Sequence, residues 1–156
     1  MRQDEYRCPI ERIAVAVVAA HSLVLGAVML LAPGRLLRFA GWAVPDDLFF
    51  ASQGGIFLLI LGAAYTAALW HRSYVWLLVG SKLAACAFLY AWGLFRGAPF
   101  VVMLLGAEDA CMGLLVWGTV ILSNRVAAAR RASAPQPAPA GDRELTGDQR
   151  SARPAR

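Results

Sequence analysis

The sequence predicts an all-α membrane bundle: four transmembrane helices running up-down-up-down, followed by a disordered C-terminal tail. Three observations carry that expectation. Apolar residues make up 59% of the 156 and charged residues only 16%, against roughly 45–50% and about 25% in soluble domains. The charge is segregated. Between Ile13 and Leu122 most of it lies in connecting stretches (Arg35, Arg38, Asp46, Asp47, Arg72 and Arg96), and only Lys82, Glu108 and Asp109 interrupt apolar runs. Finally, four of those runs reach the length of about 20 residues needed to cross a hydrocarbon core about 30 Å thick.

The spans are expected at residues 13–32, 49–70, 74–95 and 99–122, after an N-terminal segment of residues 1–12. Pro33-Gly34 stops the first. His71-Arg72-Ser73 and Arg96-Gly97-Ala98 are tight polar connections, so the last three helices form successive antiparallel hairpins. The first run is longer than a signal-peptide core. Asp4, Glu5 and Glu11 lie in its n-region and no small-residue cleavage site follows, so it reads as a retained helix. Between the first two spans, Arg35 and Arg38 alternate with Leu36, Leu37, Phe39 and Trp42. That pattern suits either a short amphipathic segment at the membrane surface or an irregular loop with apolar anchors. Asp46-Asp47 supplies a helix cap after it. Residues 123–156, rich in Ala, Pro, Arg and Gly, form the expected disordered tail.

Arginine placement gives the bundle a direction. Arg2, Arg7, Arg12, Arg72, Arg125, Arg130 and Arg131 fall on one side, and only Arg35, Arg38 and Arg96 on the other. The positive-inside rule then places both termini in the cytoplasm of a bacterial inner membrane. Trp70, Tyr74, Trp76 and Trp117 mark one interface, and Trp42, Trp92, Phe95 and Phe100 the other. The net charge of +5 is accounted for by these membrane-edge arginines and the tail. The lipid bilayer is therefore the expected partner, with a membrane protein or a second copy beside it, and nucleic acid is not.

Ionisable groups inside a span cost about 2.5–3.5 kcal/mol each, so each needs a partner or a wet cavity. His21 lies midway along the first span, Lys82, the only lysine, in the third, and Glu108-Asp109 near the middle of the fourth. Counting back from the turn between the last two helices brings Lys82 within about one helical turn, about 5 Å, of Asp109. The expectation is that Lys82 pairs with Asp109 or Glu108 across that interface, and Asp109, on the stripe with Gly106 and Gly113, is the one that faces the bundle. Glu108 lies about 100° away around the helix, turned toward His21, Tyr65 or a water-lined crevice. Such a constellation either relays protons or binds a ligand, or else fixes helix register. Stripes of small residues (Ala19, Ser22, Gly26; Gly55, Gly62, Thr66; Gly106, Gly113) predict close helix packing.

Cys86 and Cys111 fall at similar depth on neighbouring helices, as a conceivable redox pair or as ordinary bundle filler. No spacing for a metal site, haem, flavin or other cofactor is present, and no metal ligands or catalytic residues are assigned. The Gly-Ser-Lys of the third helix, the turn Arg96-Gly97-Ala98-Pro99 and the mid-helix acid of the fourth resemble small uncharacterised bacterial membrane proteins. So does the run from Leu36 to Trp42 with Gly54, Gly55, Gly62 and Tyr65. They are similar in architecture to the DoxX-like four-helix proteins over residues 12 to 122, and that resemblance implies an association with quinone or thiol redox systems. Three roles follow as expectations: an accessory or structural membrane protein, a proton-coupled small-solute carrier or channel built on Lys82, Asp109 and Glu108, and a DoxX-like redox accessory. An enzyme acting on a soluble substrate is not expected, because the loops are too short to build a site outside the membrane.

Overall fold

The computed structural model describes residues 8–133. It is entirely helical there, with α1 Pro9–Leu31, α2 Pro33–Phe39, α3 Phe49–Ala67, α4 Tyr74–Arg96 and α5 Phe100–Ala132. Four of these, α1, α3, α4 and α5, are long and apolar enough to cross a membrane.

Local chemistry sets the boundaries. Pro9 opens α1 at a first-turn position where no amide donor is needed. The chain breaks at Ala32 because Pro33 follows, and Pro33 in turn opens α2. Of the two readings for residues 34–42, the helical one is observed, seven residues long, with Arg38 Nε donating to the Gly34 carbonyl at 3.2 Å. Asp47 Oδ1 accepts the Phe49 amide at 2.8 Å and so turns the chain into α3. α4 ends where Gly97 takes the left-handed conformation (φ 65°), which lets the chain reverse within three residues.

Two boundaries depart from expectation. α3 ends at Ala67 rather than 70, because residues 68–73 form tight turns, such as the Trp70 amide donating to Ala67 at 3.1 Å. α5 runs ten residues beyond 122, to Ala132, so the start of the expected disordered tail is helical instead. The Ala-Ala-Ala-Arg-Arg-Ala stretch has high helix propensity, and it lengthens a helix already nucleated by the apolar span. The rest of the expected tail, and the N-terminal segment before Cys8, lie outside the described residues.

The helices pack as two antiparallel pairs. In the α1/α3 pair a methyl group added at Gly55 would lie 2.6 Å from the Leu30 amide nitrogen, and one at Gly26 would lie 2.8 Å from that of Leu59. These glycines therefore bring backbone against backbone. In the α4/α5 pair Gly113 abuts the Lys82 stem, Gly106 the Tyr90 ring and Gly93 the Met103 side chain. Of the anticipated small-residue stripes, the glycines Gly26, Gly55, Gly62, Gly106 and Gly113 lie at these interfaces.

The two pairs meet unevenly. The packed core (Val15, Val18, Tyr65, Ala68, Val75, Leu78, Val116 and Val120) belongs to one end of the bundle, where α1 begins and α3 ends. There Arg72 Nη2 meets Glu11 Oε2 at 3.3 Å and ties the α3–α4 turn to the start of α1. At the other end Gly41 rests against Pro99, bringing the chain after α2 to the α4–α5 turn. The outward surface carries Ile13, Val17, Phe57, Ile60, Phe88, Leu104, Leu115 and many similar side chains. Apolar exposure on this scale suits a lipid solvent and not water.

Candidate functional site

Between the helix pairs, on the α2 side of the packed core, lies a cavity of about 420 Å³. α1 contributes His21, Leu25 and Met29; α2 and the residues after it contribute Leu36, Leu37, Phe39, Ala40 and Trp42. Leu58 comes from α3, Ala85, Phe88 and Leu89 from α4, and Val101, Val102 and Leu105 from α5. Apart from His21, Glu108 and Asp109, the lining is almost wholly apolar. Those three lie together where the cavity meets the packed core, so the space has apolar walls and a charged floor. The volume falls within the roughly 300–1,000 Å³ of small-molecule sites.

The floor is built from two polar side-chain contacts made by adjacent residues of α5. Lys82 Nζ donates to Asp109 Oδ1 at 2.6 Å, with side chains only 6% and 17% exposed. This is the pair expected from helix register. The stem of Lys82 lies along Gly113, one turn beyond Asp109, where a bulkier residue would displace it. The step of 100° from Asp109 to Glu108 sends the second carboxylate to α1, where Glu108 Oε1 lies 3.5 Å from His21 Nδ1. This contact is longer than a strong charge-assisted hydrogen bond of about 2.7–2.9 Å. The side chains, 26% exposed for His21 and 41% for Glu108, are open to the cavity. One pair is thus short and enclosed, the other long and accessible.

Tyr65 takes a different place from Glu108's surroundings. Its hydroxyl bonds Ser81 Oγ on α4. Ser81 directs its own proton to the Leu77 and Leu78 carbonyls, at 2.7 and 3.0 Å, so Tyr65 is the donor. This bond staples α3 to α4 beside Lys82, within electrostatic reach of Asp109. Tyr65 therefore supports the charged layer from below without lining the cavity.

Cys86 and Cys111 both carry free thiols. Cys86 is half-buried on α4, while Cys111 is exposed on the outer side of α5. Among the described residues no group of three or more His, Cys, Asp or Glu side chains is arranged to hold a metal ion.

Two features had no counterpart in the sequence reading. The Glu11–Arg72 pair joins residues 61 apart, each of which reads alone as an ordinary membrane-edge charge. The cavity depends on how far the two helix pairs diverge, and helical periodicity carries no signal for that distance. The aromatic residues of α2 and its surroundings, Phe39 and Trp42, were legible as interface anchors but not as cavity walls.

No family model matches the chain, and no curated protein or solved structure shows significant similarity to it.

Proposed function

We propose that this chain is a multi-pass membrane protein with both helix-pair ends at the Arg-rich side in the cytoplasm, and that it binds and carries a small, largely apolar solute in exchange for a proton. The observation that carries this reading is the floor of the cavity: an accessible His21–Glu108 couple laid over a closed Lys82–Asp109 pair, at the end of an otherwise apolar pocket. An ionisable group facing a cavity within a membrane is expensive unless it is used, and an imidazole beside a carboxylate is a pair of side chains able to hold and pass on a proton.

The placement of the packed core supports the same reading. In the proposed orientation it plugs the cytoplasmic half, while the cavity occupies the opposite half beneath α2. This is the asymmetry of a carrier facing outward. A purely accessory or structural role, with a membrane-protein partner or a second copy, accounts for Lys82–Asp109 as a register pair but leaves the accessible His21–Glu108 contact unexplained. A redox role rests on Cys86 and Cys111, both free thiols and neither a lining residue of the cavity; the likeness to DoxX-like proteins adds architecture but no cofactor site.

Two experiments test the proposal. An impermeant thiol reagent applied to intact cells should leave Ser73→Cys unlabelled in a background without native cysteines, and label it after permeabilisation; the reverse result overturns the orientation. In proteoliposomes with an internal pH dye, a panel of small apolar cations, neutral molecules and anions should include at least one whose gradient drives proton movement in wild type and not in Glu108→Gln. If no member of the panel does so, or if the variant matches wild type, the carrier reading fails.

A further inference from the structure

The charges on the cavity floor define what kind of solute fits there, given the carrier reading above. Lys82 and Asp109 cancel one another at 2.6 Å and are enclosed. The group facing Glu108 is then His21 from α1; Asp109, next in sequence, is turned to Lys82 of α4, Tyr65 of α3 is engaged with Ser81 below, and α2 lines the cavity with apolar residues alone. With His21 neutral, the floor therefore carries the single negative charge of Glu108, held in apolar surroundings where charge is costly. One proton, on His21 or on Glu108, restores neutrality. A cation arriving from the cavity does the same.

We infer that the solute is a lipophilic monocation, an alkyl or aromatic ammonium, whose charged end pairs with Glu108 and displaces that proton. The walls fit such a molecule. From His21 to Met29 on α1, and from Asp109 to Val101 on α5, the cavity extends about 12 Å at 1.5 Å per residue, which sets the length of a slender apolar body. Phe39, Trp42 and Phe88 line it, and aromatic faces attract cations as well as apolar groups. An anionic solute would meet Glu108 with like charge, and a neutral one would leave the carboxylate without a counter-charge. The exchange balances: one cation binds, one proton leaves, and the floor stays neutral throughout.

The test uses the full chain in nanodiscs of zwitterionic lipid, with empty nanodiscs as background, and three probes of one shape: octyltrimethylammonium, octanol and octanoate. Wild type should bind the cation at least about tenfold more tightly than the other two, the order of one charge-assisted contact. Binding of the cation should release one proton into a weakly buffered medium. Glu108→Gln should lose about tenfold of cation affinity and keep its octanol binding, while Glu108→Asp should retain the cation preference. Size-exclusion profiles identical to wild type show that the variants fold. If octanol binds as tightly as the cation, or Glu108→Gln leaves cation binding intact, the monocation is wrong while the cavity reading stands. If none of the three binds above empty nanodiscs, the cavity is closed to such solutes and both readings fail.

Discussion

Lys82 and Asp109 show what a single residue costs inside this bundle. Each is largely enclosed, with side chains 6% and 17% exposed, and each is the other's partner at 2.6 Å. Removing one partner leaves the other as a buried, uncompensated charge, which destabilises by about 3–5 kcal/mol, whereas replacing both by neutral side chains of similar volume leaves no uncompensated charge. Lys82→Met and Asp109→Asn should each lower stability by about 3 kcal/mol, and the double variant should return to within about 1 kcal/mol of wild type. Denaturant unfolding in mild detergent measures this. A double variant no more stable than the worse single would show that the pair is not what joins these helices; recovery would assign it to helix register and leave Glu108 and His21 as the polar pair open to the cavity. This pair was legible in the sequence because its geometry is arithmetic: a short turn, a constant rise per residue and one lysine. Glu11 and Arg72 were not, because their meeting depends on how the α3–α4 turn folds back over α1, and no periodicity encodes that.

At the scale of elements, the glycines of α1 and α3 differ in kind from those elsewhere. Gly55 and Gly26 lie where two helix backbones touch, so any side chain there meets main-chain atoms that cannot give way. Gly80 on α4 faces open space, with nothing within 4 Å of an added methyl group. Gly55→Val should therefore cost about 1–3 kcal/mol or more through overpacking, while Gly80→Ala should be neutral or gain up to about 1 kcal/mol from helix propensity. Thermal unfolding of the two variants side by side gives the comparison; equal effects would mean that α1 and α3 separate readily and that their close approach does not hold the pair together. The small-residue stripes were readable in advance because helical spacing puts Gly55 and Gly62 on one face. The reach of α5 to Ala132 was not, since a Pro-rich tail masks the helix-forming alanines that precede it, and helix ends are set by local competition between the two.

The whole molecule is two helix pairs joined firmly at one end and parted at the other, and the parted end is bridged by the chain after α2. Its contact with the α4–α5 turn is Gly41 against Pro99, where a β-carbon built on Gly41 lies 3.5 Å from that of Pro99. That separation is within the range for a disulfide, about 3.5–4.5 Å between β-carbons. With Cys8, Cys86 and Cys111 replaced by alanine, the pair Gly41→Cys and Pro99→Cys should cross-link under mild oxidation, seen as a shift in gel mobility that dithiothreitol reverses. The left-handed backbone at Gly41 (φ 79°) adds strain of about 1–2 kcal/mol to any side chain there, which the cross-link must overcome, so ready formation would be a stringent sign that the two segments touch. Because α2 and Trp42 wall the outer part of the cavity, a solute reaching Glu108 from that side requires this end to open. The oxidised protein should accordingly exchange solute several times more slowly than its reduced form, with equilibrium affinity little changed. Cross-linking without any change in rate would place the path of the solute elsewhere, laterally between α1 and its neighbours, where a groove beside His21 and Val24 reaches the same histidine from the lipid side.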